Sequence, residues 1–89
     1  MSINLENMEK IYGNEIVDTI NSNIDIIQSN IKKMQALGFY DVEGLLERCV
    51  DVFLYFPNDF EYKINKLIKK LGENYVEKIE NDISYLENL

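Results

Sequence analysis

Glycine and proline divide this chain into segments that each have the pattern of an amphipathic helix. Gly13, Gly38, Pro57 and Gly72 separate stretches in which apolar residues recur every three or four positions, the spacing of a helix with one buried face. No stretch alternates apolar and polar residues as a half-buried strand does. The pattern therefore predicts an all-α fold, a small antiparallel helical bundle of three to five helices.

The predicted helices span about residues 3–12, 14–37, 41–56, 58–71 and 73–88, within a single domain covering residues 1–89. The strongest apolar stripe lies in the second segment and consists of Ile16, Ile20, Ile24, Ile27, Ile31 and Met34.

Two glycine joints leave alternatives open. The apolar pattern stays in phase across Gly72, and an interior glycine costs a helix only about 1 kcal/mol relative to alanine. The last two segments are therefore either two helices or one continuous or bent helix. Gly13 either bends its helix or closes it with a left-handed cap.

Polar residues mark three of the predicted helix starts. Asn14 and Asp41 are expected to be N-caps, because their short side chains can accept a hydrogen bond from a first-turn amide. Asn58 and Glu61 have the spacing of a capping box at the start of the fourth helix.

The residues needed for most catalysis are missing from this chain. It has no histidine, and Cys49 is its single cysteine, on the apolar face of its segment. No acidic loop has the spacing of a calcium-binding hand. We therefore expect no enzyme activity, no catalytic residues, no metal site and no cofactor.

Composition also restricts the location and the partners. The longest apolar run, residues 52–56, is far shorter than a membrane span, and the first residues do not have the pattern of a secretory signal. We expect a cytoplasmic protein that contacts no membrane. The net charge of −7 disfavours direct binding to nucleic acid and favours a protein partner with a basic surface. Abundant Asn, Ile, Lys, Glu and Tyr suggest a bacterial or phage origin.

A row of carboxylates is the first candidate for a binding surface. Glu43, Glu47 and Asp51 recur every four residues, opposite the apolar stripe of their segment, and Tyr55 continues the row. Tyrosine is enriched at the energetic centres of interfaces. Two aromatic residues in the preceding loop are expected to add to the same patch if they are exposed. The predicted partner-binding residues are Glu43, Glu47, Asp51, Tyr55, Phe39 and Tyr40.

Two further charged clusters are weaker candidates for a binding surface. Glu73, Glu77 and Glu80 form a second acidic row in the last segment, and four lysines lie within residues 63–70. Charge balance between neighbouring helices explains both clusters equally well. The lysines also leave open a nucleic-acid-binding bundle, as a further hypothesis.

These features favour a small acidic protein-binding module: a stoichiometric inhibitor, immunity or regulatory protein that acts on a basic protein surface. In size, acidity and helicity the chain resembles the colicin-nuclease immunity proteins, which cover a cationic nuclease surface with acidic helices and a Tyr-Tyr-Pro element. The nearest counterpart here is Asp51 with Tyr55, Phe56 and Pro57, where phenylalanine replaces the second tyrosine.

Two alternatives remain at this point. The same acidity suits a phage-type inhibitor that mimics the charge of nucleic acid, as anti-CRISPR proteins do. The chain would instead be a structural or assembly protein if the stripe over residues 16–34 formed the seam of a homodimer or larger helical homo-oligomer.

Overall fold

A computed structural model describes residues 3–89 and confirms the all-α class. All regular structure in these residues is helical, and the Cα radius of gyration is 12.6 Å. Eight helices follow one another: α1 Leu5–Tyr12, α2 Glu15–Ser22, α3 Ile24–Ala36, α4 Val42–Arg48, α5 Val50–Phe53, α6 Pro57–Leu71, α7 Tyr75–Asn81 and α8 Ser84–Glu87. Helix α3 is central, because it packs against α2, α4, α5 and α6.

The predicted count of three to five helices is wrong because three predicted helices are each split in two. The breaks fall at Asn23, Cys49 and Asp82, whose backbone angles are not helical. At the first two breaks the side chain donates to the carbonyl oxygen four residues earlier, Thr19 at 2.8 Å and Leu45 at 3.0 Å. Such bonds give the backbone an alternative to continued helix.

At the third break, the side-chain carboxylate of Asp82 accepts the stabilising hydrogen bonds. Asp82 Oδ1 accepts hydrogen bonds from the backbone N–H of Ser84 at 3.1 Å and from its hydroxyl at 2.6 Å. These bonds hold the pKa of the Asp82 carboxyl below its ordinary value. The chain therefore turns here and starts α8 instead of extending α7.

Both glycine joints break their helices. Gly13 has φ 97° and ψ 177°, and Gly72 has φ 84° and ψ −158°. This region of positive φ with extended ψ is almost restricted to glycine, and it differs from the left-handed helical region. The predicted left-handed cap at Gly13 is therefore wrong, and so is the alternative of one continuous helix across Gly72.

The predicted helix starts have mixed outcomes. Asp41 is an N-cap, because its side chain accepts from the backbone N–H of Gly44 at 3.0 Å. Asn14 makes no capping bond and is itself helical in backbone angles. Asn4, which the sequence pattern did not single out, caps α1 by accepting from the N–H of Asn7.

The predicted capping box at Asn58 is wrong. Pro57 occupies the first turn of α6, where its missing N–H costs nothing, so Asn58 already lies inside the helix. Glu61 instead forms an ion pair with Lys33 at 3.0 Å, which ties α6 to α3.

The core is a single apolar cluster contributed by helices from both ends of the chain. Its fully buried members are Met8, Ile20, Ile27, Ile31, Met34, Leu45, Leu46, Phe53, Phe60, Ile64, Ile79 and Leu86. Most of the predicted apolar stripe in residues 16–34 is buried in this core. Within the single chain, Ile20, Ile27, Ile31 and Met34 are therefore buried rather than at the surface.

Two apolar residues lie outside the core against expectation. Ile24, the first residue of α3 after the break at Asn23, is 36% exposed. Phe56, an aromatic residue next to Pro57, is 68% exposed. Only Phe53 and Phe60 pair there, with ring centroids 5.8 Å apart.

None of the helices described here combines the length and the apolar character that crossing a membrane requires.

Candidate partner-binding site

The predicted carboxylate row does not form one ridge. Glu43 and Glu47 lie on α4 and are both partly buried. Asp51 is exposed, but it lies on α5, beyond the break at Cys49. Because the break changes the direction of the chain, the four-residue spacing no longer places the three carboxylates in line.

Glu47 has a structural role that its sequence position does not reveal. Its Oε1 accepts from Asn7 Nδ2 at 2.6 Å, and its backbone carbonyl accepts from the hydroxyl of Tyr12. Both donors belong to α1, so Glu47 fastens α1 to α4. Partial burial raises the pKa of the Tyr12 phenol.

Asp51 and Tyr55 do come together, at a cavity of about 370 Å³ that also has Tyr12, Arg48 and Glu87 on its wall. The charges here are mixed, since a guanidinium lies among two carboxylates. Lys63 Nζ also lies 4.7 Å from the centre of the Tyr55 ring, so a cation of this chain already covers that tyrosine.

Cys49 borders the same cavity but has the properties of a core residue. Its side chain is buried, and burial raises the pKa of its thiol from 9.0 to about 12. A thiol with this pKa is protonated at neutral pH and is a poor nucleophile.

The two aromatic residues of the loop, Phe39 and Tyr40, differ strongly in solvent exposure. Phe39 is only 6% exposed and packs against Tyr75, with ring centroids 5.9 Å apart. Exposure was the condition for its predicted role in partner binding, and Phe39 does not meet that condition. Tyr40, the next residue, is 90% exposed.

Tyr40 lies beside the second acidic row. A cavity of about 340 Å³, here called the acidic groove, is lined by Tyr40, Glu73, Asn74, Val76, Glu77, Glu80 and Asn81. None of these residues is basic. The structure thus brings the exposed tyrosine to Glu73, Glu77 and Glu80, rather than to the carboxylates of α4 and α5.

Two of the three glutamates share this groove because of helix geometry. Glu77 and Glu80 lie three residues apart on one side of α7, while Ile79 is fully buried. Glu73 lies in the turn just before α7 and lines the same groove. Lys78, the one base in this segment, points elsewhere: its Nζ donates to the backbone carbonyl of Leu71 at 2.7 Å, at the end of α6. The Lys78 ammonium group therefore does not pair with the carboxylates of the groove.

Contacts between the α3–α4 loop and α7 fix the position of Tyr40. Its backbone N–H donates to Glu80 Oε1 at 2.8 Å. Nearby, the hydroxyl of Tyr75 donates to the backbone carbonyl of Leu37 at 2.6 Å. The loop is thus anchored at Leu37 and at the backbone of Tyr40, while the Tyr40 side chain is exposed.

The groove has the chemistry of a receptor for an organic cation. Glutamate carboxylates accept hydrogen bonds from ammonium and guanidinium groups, and an aromatic ring face attracts the same cations. Among residues 3–89, no group of three or more His, Cys, Asp or Glu side chains is arranged to hold a metal ion.

Comparison with known proteins adds no relative: no protein-family model, curated protein or solved structure matches the chain.

Proposed function

We propose that this chain is a small acidic protein-binding module, an inhibitor, immunity or regulatory protein that docks on a basic surface of another protein through the acidic groove. One observation carries the proposal: Tyr40 is 90% exposed beside three glutamates with no base among the residues that line the groove. A lysine or arginine side chain of the partner would lie between the Tyr40 ring and these carboxylates.

Two physical arguments support the proposal. An exposed tyrosine on an anchored backbone offers a large contact area at a small cost in conformational entropy. The net charge of −7 also attracts a basic protein at long range and accelerates encounter.

The test compares two charge-matched double variants. Glu73→Gln with Glu77→Gln removes two carboxylates from the groove, and Glu15→Gln with Asp25→Asn removes two exposed carboxylates from α2 and α3. Glu80 is left intact because it holds the Tyr40 backbone. Each protein is used to capture partners from cells of its source, and the binding of any captured protein is then measured by calorimetry.

We expect a basic protein that binds the wild type and the α2–α3 variant with one-to-one stoichiometry. Its affinity for the groove variant should fall at least about tenfold, since each 1.4 kcal/mol of lost interaction is a factor of ten. Tyr40→Ala should weaken binding more than Tyr40→Phe, because phenylalanine keeps the ring face. Equal affinity for both double variants would refute the groove as the binding site.

A further inference from the structure

A second cavity, on α6 rather than α7, has lysines on its wall where the acidic groove has glutamates. This lysine cavity of about 350 Å³ lies between α6 and the C-terminal segment, and its wall includes Tyr62, Lys66, Leu67, Lys70 and Tyr85. Nothing in the proposed binding of a basic protein uses it.

Two ammonium groups at this cavity have no partner of opposite charge. The ion pair Lys33–Glu61 is the single salt bridge among residues 3–89, so Lys66 and Lys70 are unpaired. Lys63 also contributes to the wall, but its Nζ lies over the Tyr55 ring. The cavity therefore carries two free positive charges one helical turn apart.

The arrangement has an energetic cost that an anion would relieve. Like charges four residues apart on a helix repel each other and destabilise it. An anion bound between Lys66 and Lys70 would convert this repulsion into two attractive contacts.

Part of the remaining wall, which also includes Asn88 and Leu89, suits a flat or apolar group. Tyr62 is 68% exposed, Tyr85 and Leu67 are half-buried, and all three border the same space. Tyrosine rings are stacking platforms for nucleobases and similar heterocycles. A volume of about 350 Å³ lies at the lower end of the range for small-molecule sites.

We propose that the lysine cavity binds a phosphate monoester attached to an aromatic heterocycle, a ligand of mononucleotide size. A phosphate monoester carries a charge near −2 at neutral pH and three acceptor oxygens, so it matches two ammonium groups better than a single carboxylate does. Long nucleic acid is disfavoured, because the net charge of −7 repels an extended polyanion. The proposal does not depend on the acidic groove.

The test is a titration of the full chain followed by its amide NMR signals. Adenosine 5′-monophosphate is the probe, and adenosine and inorganic phosphate represent its two halves. We expect saturable shifts confined to residues 62–70 and 85–89, with the monophosphate binding more tightly than either half. No saturable shift up to about 10 mM would overturn the proposal, since a weaker interaction would have no specific meaning.

Two charge-matched variants distinguish a site from general attraction to lysine. Lys66→Gln with Lys70→Gln should weaken binding of the monophosphate at least about tenfold. Lys10→Gln with Lys69→Gln changes the net charge equally with two exposed lysines outside the cavity, and binding should be unchanged. An undisturbed spectrum of each variant shows that it is folded. Equal loss in both variants would overturn the proposal.

Two competing probes test the class of ligand. A single-stranded oligothymidylate and a short acidic peptide are titrated under the same conditions. Weaker binding of both than of the monophosphate supports the proposal. Tighter binding of either one at the same residues would replace it with a nucleic-acid or a peptide site.

Discussion

At the scale of single residues, Asn30 shows how one polar side chain can organise an apolar core. It is the only buried polar residue in the part of the chain that the structure describes. Its Nδ2 donates to the backbone carbonyls of Phe53 at 2.9 Å and Tyr55 at 2.8 Å. These carbonyls lie where α5 ends, so Asn30 fixes the corner that leads into α6.

We predict that Asn30→Ala lowers the free energy of unfolding by about 1–3 kcal/mol, because it leaves two carbonyls without their donor in a largely buried site. Urea denaturation followed by circular dichroism measures the change. Asn65→Ala, at an exposed position of α6, is the control and should change stability by less than about 0.5 kcal/mol. Indistinguishable stabilities for the two variants would show that the Asn30 hydrogen bonds make no net contribution to the free energy of unfolding.

Cys49 gives the folded protein a defined response to alkaline pH. The unfolded thiol ionises near its ordinary pKa of 9.0, whereas burial keeps the folded thiol protonated up to about pH 12. The folded state therefore binds one more proton than the unfolded state within this window. The stability contributed by the thiol is complete below pH 9 and decreases as pH rises toward 12.

We predict that wild-type stability falls relative to Cys49→Ala by up to about 1.4 kcal/mol per pH unit within this window. Urea denaturation of both proteins at pH 8 and pH 10.5 gives the two differences. The cavity left by alanine lowers stability equally at both pH values, so it cancels in the comparison. A difference that does not vary with pH would show that the folded thiol ionises like a free one.

The sequence predicted the burial of Cys49 because its neighbours on the helical face are apolar. It gave no signal for Asn30, because an asparagine beside Ile27 and Ile31 looks like the polar edge of a stripe. The two carbonyls that Asn30 serves are 23 and 25 residues away. Only the packing of α5 against α3 brings them within reach.

At the scale of helices, apolar periodicity predicted where helices occur but not where they break. The stripe continues in phase through Asn23, so nothing in its spacing indicates the break there. The break is stabilised by the hydrogen bond from the Asn23 side chain to the backbone carbonyl of Thr19, which competes with continuation of the helix. The periodicity of apolar residues carries no information about this bond. The sequence identified Gly72 as a joint between two segments, but it did not predict the φ and ψ values that Gly72 adopts.

We predict that Gly72→Ala destabilises the fold by about 1–3 kcal/mol and that Gly72→Asn is nearly as harmful. Asparagine tolerates the left-handed helical region, but φ 84° with ψ −158° lies outside it. The effect is conformational, since a Cβ at Gly72 would meet no atom within 4 Å. Denaturation of both variants is the measurement. A stable Asn variant would imply a left-handed cap instead.

At the scale of the whole molecule, charge is separated rather than paired. The acidic groove lies on α7, the lysine cavity on α6, and a single ion pair is present in residues 3–89. The net charge of −7 is therefore a source of self-repulsion in the folded state.

We predict that sodium chloride stabilises the protein, because salt screens this repulsion while there is little ion pairing for it to weaken. Between low and physiological ionic strength we expect a gain of about 1 kcal/mol, which corresponds to about 4–8 °C in melting temperature for a domain of this size. Thermal unfolding by circular dichroism measures the shift. A lower melting temperature in salt would mean that attractive pairs outweigh the net charge.

The composition of the candidate site was visible in the sequence, but its assembly was not. The acidic row of Glu73, Glu77 and Glu80 and the loop tyrosine were each recognisable. They are more than 30 residues apart, and the bond from the Tyr40 N–H to Glu80 that joins them depends on tertiary packing. The row at Glu43, Glu47 and Asp51 was the stronger candidate in the sequence, because nothing in its spacing indicates that Asn7 occupies the Glu47 carboxylate.

The shortness of the helices has a consequence for any attempt to divide the protein. The longest, α6, has 15 residues, and α5 and α8 have four each. Helices of this length are marginal or unstable in water as separate peptides. Synthetic fragments should therefore be largely random coil, and secondary structure should return only when complementary pieces are mixed and rebuild the shared interior.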